Sequence, residues 1–126
     1  MSRSWPGPAS DMPHARQQLG ASGEEAAAAW YTAMGFQVVA RNWRHGRAGE
    51  IDLIATRGSV CAICEVKTRS SAIFGTGFDA VNPAKQQRLR RLALAWVATQ
   101  DRWWDLRFDV AAVGADGTVE VLESAF

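Results

Sequence analysis

The sequence predicts a mixed α/β fold, a β-sheet flanked by helices in the order αβββαββ, and three observations carry that expectation. Two segments, Gly20 to Met34 and Pro83 to Thr99, repeat apolar residues at intervals of three and four, the period of an amphipathic helix. Between them, Gly49 to Ala55 and Cys61 to Lys67 are apolar runs with acidic residues at alternate positions, joined through Thr56 to Val60 with Gly58-Ser59 as the turn. After the second helix come two more β-rich runs, Leu106 to Val113 and Thr118 to Leu122. The fourth strand is therefore reached by a helical crossover, which sets it parallel to the third.

Residues 1–18 contain Pro6, Pro8 and Pro13 among Ser and Gly, and lack the apolar core of a signal peptide. They read as a disordered leader, with residues 19–126 as one domain. In the first helix Ser22 is a candidate cap, with Glu24 and Glu25 in the first turn where the helix dipole favours negative charge. Ala27, Trp30, Tyr31 and Met34 form its apolar stripe, and Gly35 ends it. On local sequence alone, Glu24 is a helix-start carboxylate and nothing more.

Phe36 to Trp43 is the first strand, running into a turn through Arg44, His45 and Arg47. Gly58-Ser59 suits a two-residue type II′ hairpin turn, since glycine takes a positive φ at the first central position without strain. That turn pairs Arg57 with Val60, and therefore sets Asp52 opposite Glu65 and Glu50 opposite Lys67 on one face. The other face, with Ile51, Leu53, Ala55, Ala62, Cys64 and Val66, is core. Opposed residues have Cβ atoms about 4.5 to 5.5 Å apart, where like charges repel. Two carboxylates placed so call for a cation between them.

Ser70 to Asn82 reads as a loop long enough to flap over a site. Pro83 suits the first position of the second helix, whose buried stripe is Leu89, Leu92, Ala93, Trp96 and Val97. Lys85, Arg88 and Arg91 share another face, either as a solvated surface or as a row of phosphate contacts. The connector Gln100 to Asp105 carries Trp103-Trp104, an aromatic surface that a protein partner could use.

A 126-residue chain with 48% hydrophobic and 21% charged residues has the composition of one globular domain. The net charge of +1 says little about partners, but arginine supplies twelve of the fourteen basic residues and clusters around 41–47 and 88–91. No apolar run reaches the roughly 18 residues of a membrane span. Cys61 and Cys64 fall three apart on a strand, so they face opposite sides and share no metal; they read as free thiols of a cytoplasmic protein.

Asp52 followed on the next strand by Glu65-Val66-Lys67 presents hard oxygen ligands of the kind that hold Mg²⁺ or Mn²⁺, with a lysine beside them. Such a set can hydrolyse a phosphodiester. D…E-x-K on adjacent strands after a glutamate-bearing helix resembles the PD-(D/E)XK nuclease superfamily. The ordered set Gly23-Glu24, Arg41-Asn42, Gly49 to Ile54, Glu65 to Arg69, Lys85-Gln86 and Arg107 to Val110 is similar to the bacterial UPF0102 (YraN-type) family, itself likened to archaeal Holliday-junction resolvases.

The resemblance runs from about Gly20 to Phe126 and implies a restriction-endonuclease-like fold. It implies that Asp52, Glu65, the Val66 carbonyl and Glu24 bind the metal and that Lys67 is the catalytic lysine. Glu50 and Gln86 would stand just outside, Glu50 alternatively as the salt-bridge partner of Lys67. Arg44, Arg47, Arg69, Lys85, Arg88 and Arg91 would meet nucleic acid, with Lys85 and Gln86 touching either the site or the DNA from the second helix. The superfamily's proline is absent before Asp52, where Ile51 stands, and neither His14 nor His45 is placed as a general base. The expected activity is a Mg²⁺- or Mn²⁺-dependent endonuclease for branched or single-stranded DNA in recombination or repair, dimeric when active and delivered by a motor or helicase. A catalytically silent nucleic-acid-binding adaptor and a protein-interaction module are the alternatives.

Overall fold

The computed structural model describes residues 15–69 and 81–126, with side chains for 23–68 and 81–126. The elements are α1 (Ala15–Ala33), β1 (Gln37–Arg44), β2 (Glu50–Arg57), β3 (Val60–Arg69), α2 (Pro83–Val97), β4 (Asp105–Gly114) and β5 (Val119–Leu122). They build a mixed five-stranded sheet in the order β1-β2-β3-β4-β5. All neighbours are antiparallel except β3 and β4, which run parallel through the α2 crossover. The residues assigned to the flap from Ser70 to Ala80 lie outside the described residues.

Each face of the sheet buries one helix. Ala27, Ala28 and Tyr31 of α1 pack with Leu53, Ala55, Ala62, Cys64 and Ala111. The predicted stripe of α2, Leu89, Leu92, Ala93, Trp96 and Val97, packs with Ile54, Cys61, Ile63 and Val110. Cys61 and Cys64 thus lie in different cores, as strand alternation requires, and both are free thiols. Burial pushes the Cys61 thiol up to about 12 and raises Cys64 as well. Ile51 departs from alternation: it joins the α2 side, not the face of Leu53. Met34 of the expected α1 stripe is 47% exposed, because the stripe turns to solvent where the helix ends.

α1 begins at Ala15, upstream of the expected start, so it takes in residues 15–18 and places Ser22 inside the helix. Glu24 and Glu25 are accordingly not in a first turn. The helix closes with two bonds, Phe36 N to the Tyr31 carbonyl (2.9 Å) and Gly35 N to that of Thr32 (3.0 Å), the Schellman pattern. Its accompanying apolar contact is Tyr31 against Phe36, edge to face at 5.3 Å. α2 starts with Pro83 after Asn82, whose side chain accepts from Lys85 N at 2.9 Å.

The hairpin register is the predicted one, from Arg57–Val60 to Leu53–Cys64. Gly58 has φ of 61° and Ser59 is outside the left-handed region, which fits type II′. Ser59 also anchors β4, its Oγ donating to Asp105 (3.0 Å) and its carbonyl accepting from Asp105 N (2.9 Å).

A charged knot ties α1 to β4. Asp109 is fully buried, yet accepts from Arg107 Nε (3.0 Å) and Nη2 (2.9 Å), the Tyr31 hydroxyl (2.5 Å) and Ser124 N (3.0 Å). Buried carboxylates are tolerated when their lone pairs are filled in this way. Burial, with Cys64 and Asp109 nearby, drives the Tyr31 hydroxyl far above its ordinary value, so it stays a donor.

Candidate metal centre

The β2–β3 ladder stops at Leu53–Cys64, and at this open end the acidic residues converge. Asp52 no longer pairs main chain to main chain; instead its Oδ2 accepts from Val66 N at 2.8 Å. Glu65, one residue earlier on β3, is buried at 7% exposure. Glu24 arrives on α1 because Gly23 lets the helix touch β3: a Cβ there would stand 2.1 Å from Thr68 Cγ2. Glu50 opens β2. Carboxylate oxygens of Glu24, Glu50 and Asp52 all lie within 4.8 Å of one another, close enough to hold a metal ion.

Asn42 holds two of these groups. Its amide nitrogen donates to Glu24 Oε2 at 3.1 Å and to Glu50 Oε2 at 3.2 Å. To do so it sits in β1 with φ of 50°, a left-handed conformation that asparagine tolerates better than most residues. Arg44 adds an ion pair to Glu50 at 3.1 Å, directly across the β1–β2 ladder.

The charges are arranged unevenly. Burial, then the nearby Glu65, pushes the Asp52 carboxyl up to about 7; the Val66 amide opposes this, while Glu24 and Glu50 add to it. Glu65 by contrast meets two ammonium groups on one oxygen, Lys85 at 2.6 Å and Lys67 at 3.5 Å. Burial lowers the Lys67 pKa, only partly offset by Glu65, and Lys85 pulls it further down. For Lys85, burial is outweighed by its bond to Glu65, and its pKa rises.

The acidic group formed by Glu24, Glu50 and Asp52 therefore includes Glu50, which the sequence placed at its edge, while Glu65 stands beside it paired to lysines. The expected Glu50–Lys67 pair does not form: Arg44 is the residue opposite Glu50, and Lys67 turns to Glu65 on its own strand. Arg44 is thereby engaged by a carboxylate, though its side chain is largely exposed. Gln86 spends its amide on the Val81 carbonyl (3.1 Å) at the start of α2, so it anchors the helix and does not reach the carboxylates. Arg47, Arg88 and Arg91 are exposed, and the side chain of Arg69 lies outside the described residues. Of the two connector tryptophans only Trp103 is exposed, at 63%; Trp104 packs near Trp96 beneath the Arg102 guanidinium. Asn42 stands in the set that carries the family resemblance, but sequence reasoning gave it no role, since its φ and its two carboxylate partners appear only in the fold.

No described helix is long and apolar enough to cross a membrane. Residues 23–113 match the model of the uncharacterised protein family UPF0102. A UPF0102 protein of Nocardia farcinica is 52% identical over 99 residues, covering 78% of this chain and 77% of that one. One from Rhodococcus opacus is 42% identical over 113 residues, covering 86% and 95%, and one from Acidothermus cellulolyticus is 39% identical over 127, covering 89% and 96%.

Proposed function

The chain belongs to the UPF0102 family, and from that premise we propose that it is a Mg²⁺- or Mn²⁺-dependent endonuclease of PD-(D/E)XK type, cutting branched or single-stranded DNA in recombination or repair. The observation that carries this reading is the convergence of Glu24, Glu50 and Asp52 from two elements beside Glu65 and Lys67 of β3. A core of helix, antiparallel hairpin, crossover helix and parallel strand, with Asp on β2 and Glu-x-Lys on β3, favours the same superfamily.

The donor set fits such an ion. Every candidate ligand is an oxygen, from Asp52, Glu24, Glu50, Glu65 or the Val66 carbonyl, as small hard cations require, and both thiols are turned into the cores. When bound, the cation would supply Lewis acidity at the phosphate and acidify a water. Lys67 stands beside Glu65 at the edge of the carboxylates, where an ammonium offsets the charge that grows on a phosphoryl group under attack. Glu65 holds that ammonium in place, and Asp52 is kept on β3 by the Val66 amide. A symmetric four-way junction would engage two copies of the chain, one per strand cut, and a recombination motor or helicase is the partner class that would deliver it.

The test is cleavage of labelled four-way junction, flap, single-stranded and duplex DNA by wild type and Asp52→Asn in Mg²⁺, Mn²⁺ or EDTA. We expect cutting that needs metal and falls at least about 1,000-fold in Asp52→Asn, within the several kcal/mol that an ion contributes. Binding without cutting in either metal would replace the nuclease reading with an adaptor.

A further inference from the structure

Beside the carboxylates, β1 ends in an aromatic pair that the chemistry above does not use. The Trp43 and His45 rings stack at 5.8 Å, only 8° from parallel. Trp43 leans on the α2-side core, whereas His45 is exposed on the turn that leads to Glu50. That turn is held by Ala48 N to the His45 carbonyl, 3.0 Å, so the imidazole is carried on ordered backbone.

Arginines surround the pair. Arg88 of α2 lies across the turn at Gly49: a Cβ there would meet Arg88 Cδ at 3.4 Å, and φ of 120° itself demands glycine. Arg47 is exposed within the turn, and among the described residues neither it nor Arg88 has a carboxylate partner. Arg44, between the two rings in sequence, touches Glu50 and so joins this patch to the carboxylates.

We infer that Trp43 and His45 form a stacking platform for one unpaired nucleobase, with Arg47 and Arg88 on its flanking phosphates. The inference rests on the nucleic-acid reading of the neighbouring site and narrows its substrate class. A base inside a continuous duplex has both faces covered by neighbours and cannot extend a protein stack; an unpaired or splayed base can. A solvated charged turn would account for the arginines, but not for an exposed imidazole held parallel on an indole at their centre. The substrate is therefore DNA with at least one unpaired nucleotide beside the cut bond.

The experiment uses the full chain carrying Asp52→Asn in Mg²⁺, so that binding is read without cleavage. Fluorescence anisotropy compares a 12-nucleotide oligo(dT) with a 12-unit abasic strand that has the same phosphates and no bases. Oligo(dT) is expected to bind about tenfold more tightly, from stacking of one base. Adding Trp43→Leu with His45→Ala should remove that preference while leaving abasic affinity unchanged. His45→Phe, which keeps an aromatic face, should retain it. Arg47→Ala and Arg88→Ala should weaken both strands alike and flatten the salt dependence. Equal affinity for the two strands, no binding to either, or a preference that survives the double variant would overturn the platform. The strand comparison needs no platform variant, so it decides even if the double variant misfolds. Failure of wild type to cut DNA would sink the nuclease reading and leave this result standing; cutting with equal affinity for both strands would sink only the platform.

Discussion

Asp109 on β4 is fully buried and Asp52 on β2 is half-buried, and the fold treats these two carboxylates in opposite ways. Asp109, fully buried, receives Arg107, the Tyr31 hydroxyl and Ser124 N, so donors surround it. Asp52 receives one amide, from Val66, and has Glu24, Glu50 and Glu65 for neighbours. Donors close around Asp109 and two lysines meet the buried Glu65, but among the described residues no cation is paired with Asp52. Completed compensation marks a structural charge; withheld compensation is what the proposed metal site would call for, the cation being supplied from outside.

The largest expected effect would break the first half of that contrast. Asp109→Ala strips the buried partner from Arg107, leaving it only the longer pair to Glu123, and from the Tyr31 hydroxyl, which lies 78 residues away in sequence. Removing one member of such a buried pair costs about 3–5 kcal/mol. Urea unfolding should show a loss of that order; a loss under about 1 kcal/mol would mean the knot is not a structural charge.

The second half carries the opposite sign. Asp52 titrates near 7 in the folded chain against 3.8 for the free group. The native state thus binds the proton more tightly, and stability from this group falls as pH rises from about 4 to 7, then stays low. Asp52→Asn keeps an oxygen for the Val66 amide and removes the penalty. It should therefore stabilise the metal-free protein at pH 8 by on the order of 2 kcal/mol, and hardly at all at pH 4. With Mn²⁺ the order should reverse. Wild type gains about 2.7 kcal/mol at a hundredfold excess over Kd, whereas the variant gains little. Melting curves in EDTA and in Mn²⁺ at pH 8 check both arms; a variant less stable than wild type in EDTA would remove the idea of withheld compensation.

Much of this was legible from residue order. The Gly58-Ser59 turn set the hairpin register, and the stripes of α2 and the position of Pro83 located that helix. Asp52 and Glu65 lie one residue beyond the last pair of that ladder, so counting outward from the turn brought them near each other. What periodicity does not carry is competition between partners. Glu50 lies opposite Lys67 by counting on β3, but β2 has a second neighbour, and Arg44 of β1 takes the carboxylate. Lys85 reaches Glu65 only through the packing of α2, which no local pattern reports. The start of α1 at Ala15 was missed because the apolar spacing that signals a helix begins later, at Ala27. The fate of Asp109 was equally hidden: its four donors come from α1, its own strand and the segment after β5.

The smallest effect sharpens the contrast most, because it concerns an uncharged side-chain donor, Asn42, set among the carboxylates. Asn42 holds Glu24 and Glu50 with a single amide, at 3.1 and 3.2 Å, and pays for the position with φ of 50°. Two substitutions separate the amide from the backbone. Asn42→Gly keeps the left-handed conformation and loses the donor; Asn42→Ala loses the donor and strains the chain by about 1 kcal/mol. If the amide orients the carboxylates, both variants should bind Mn²⁺ about tenfold more weakly in calorimetry. Only the alanine variant should then lose appreciable stability. Wild-type Mn²⁺ affinity in Asn42→Gly would mean that Glu24 and Glu50 are placed by α1 and β2 alone, and that the strained asparagine serves the strand and not the ion.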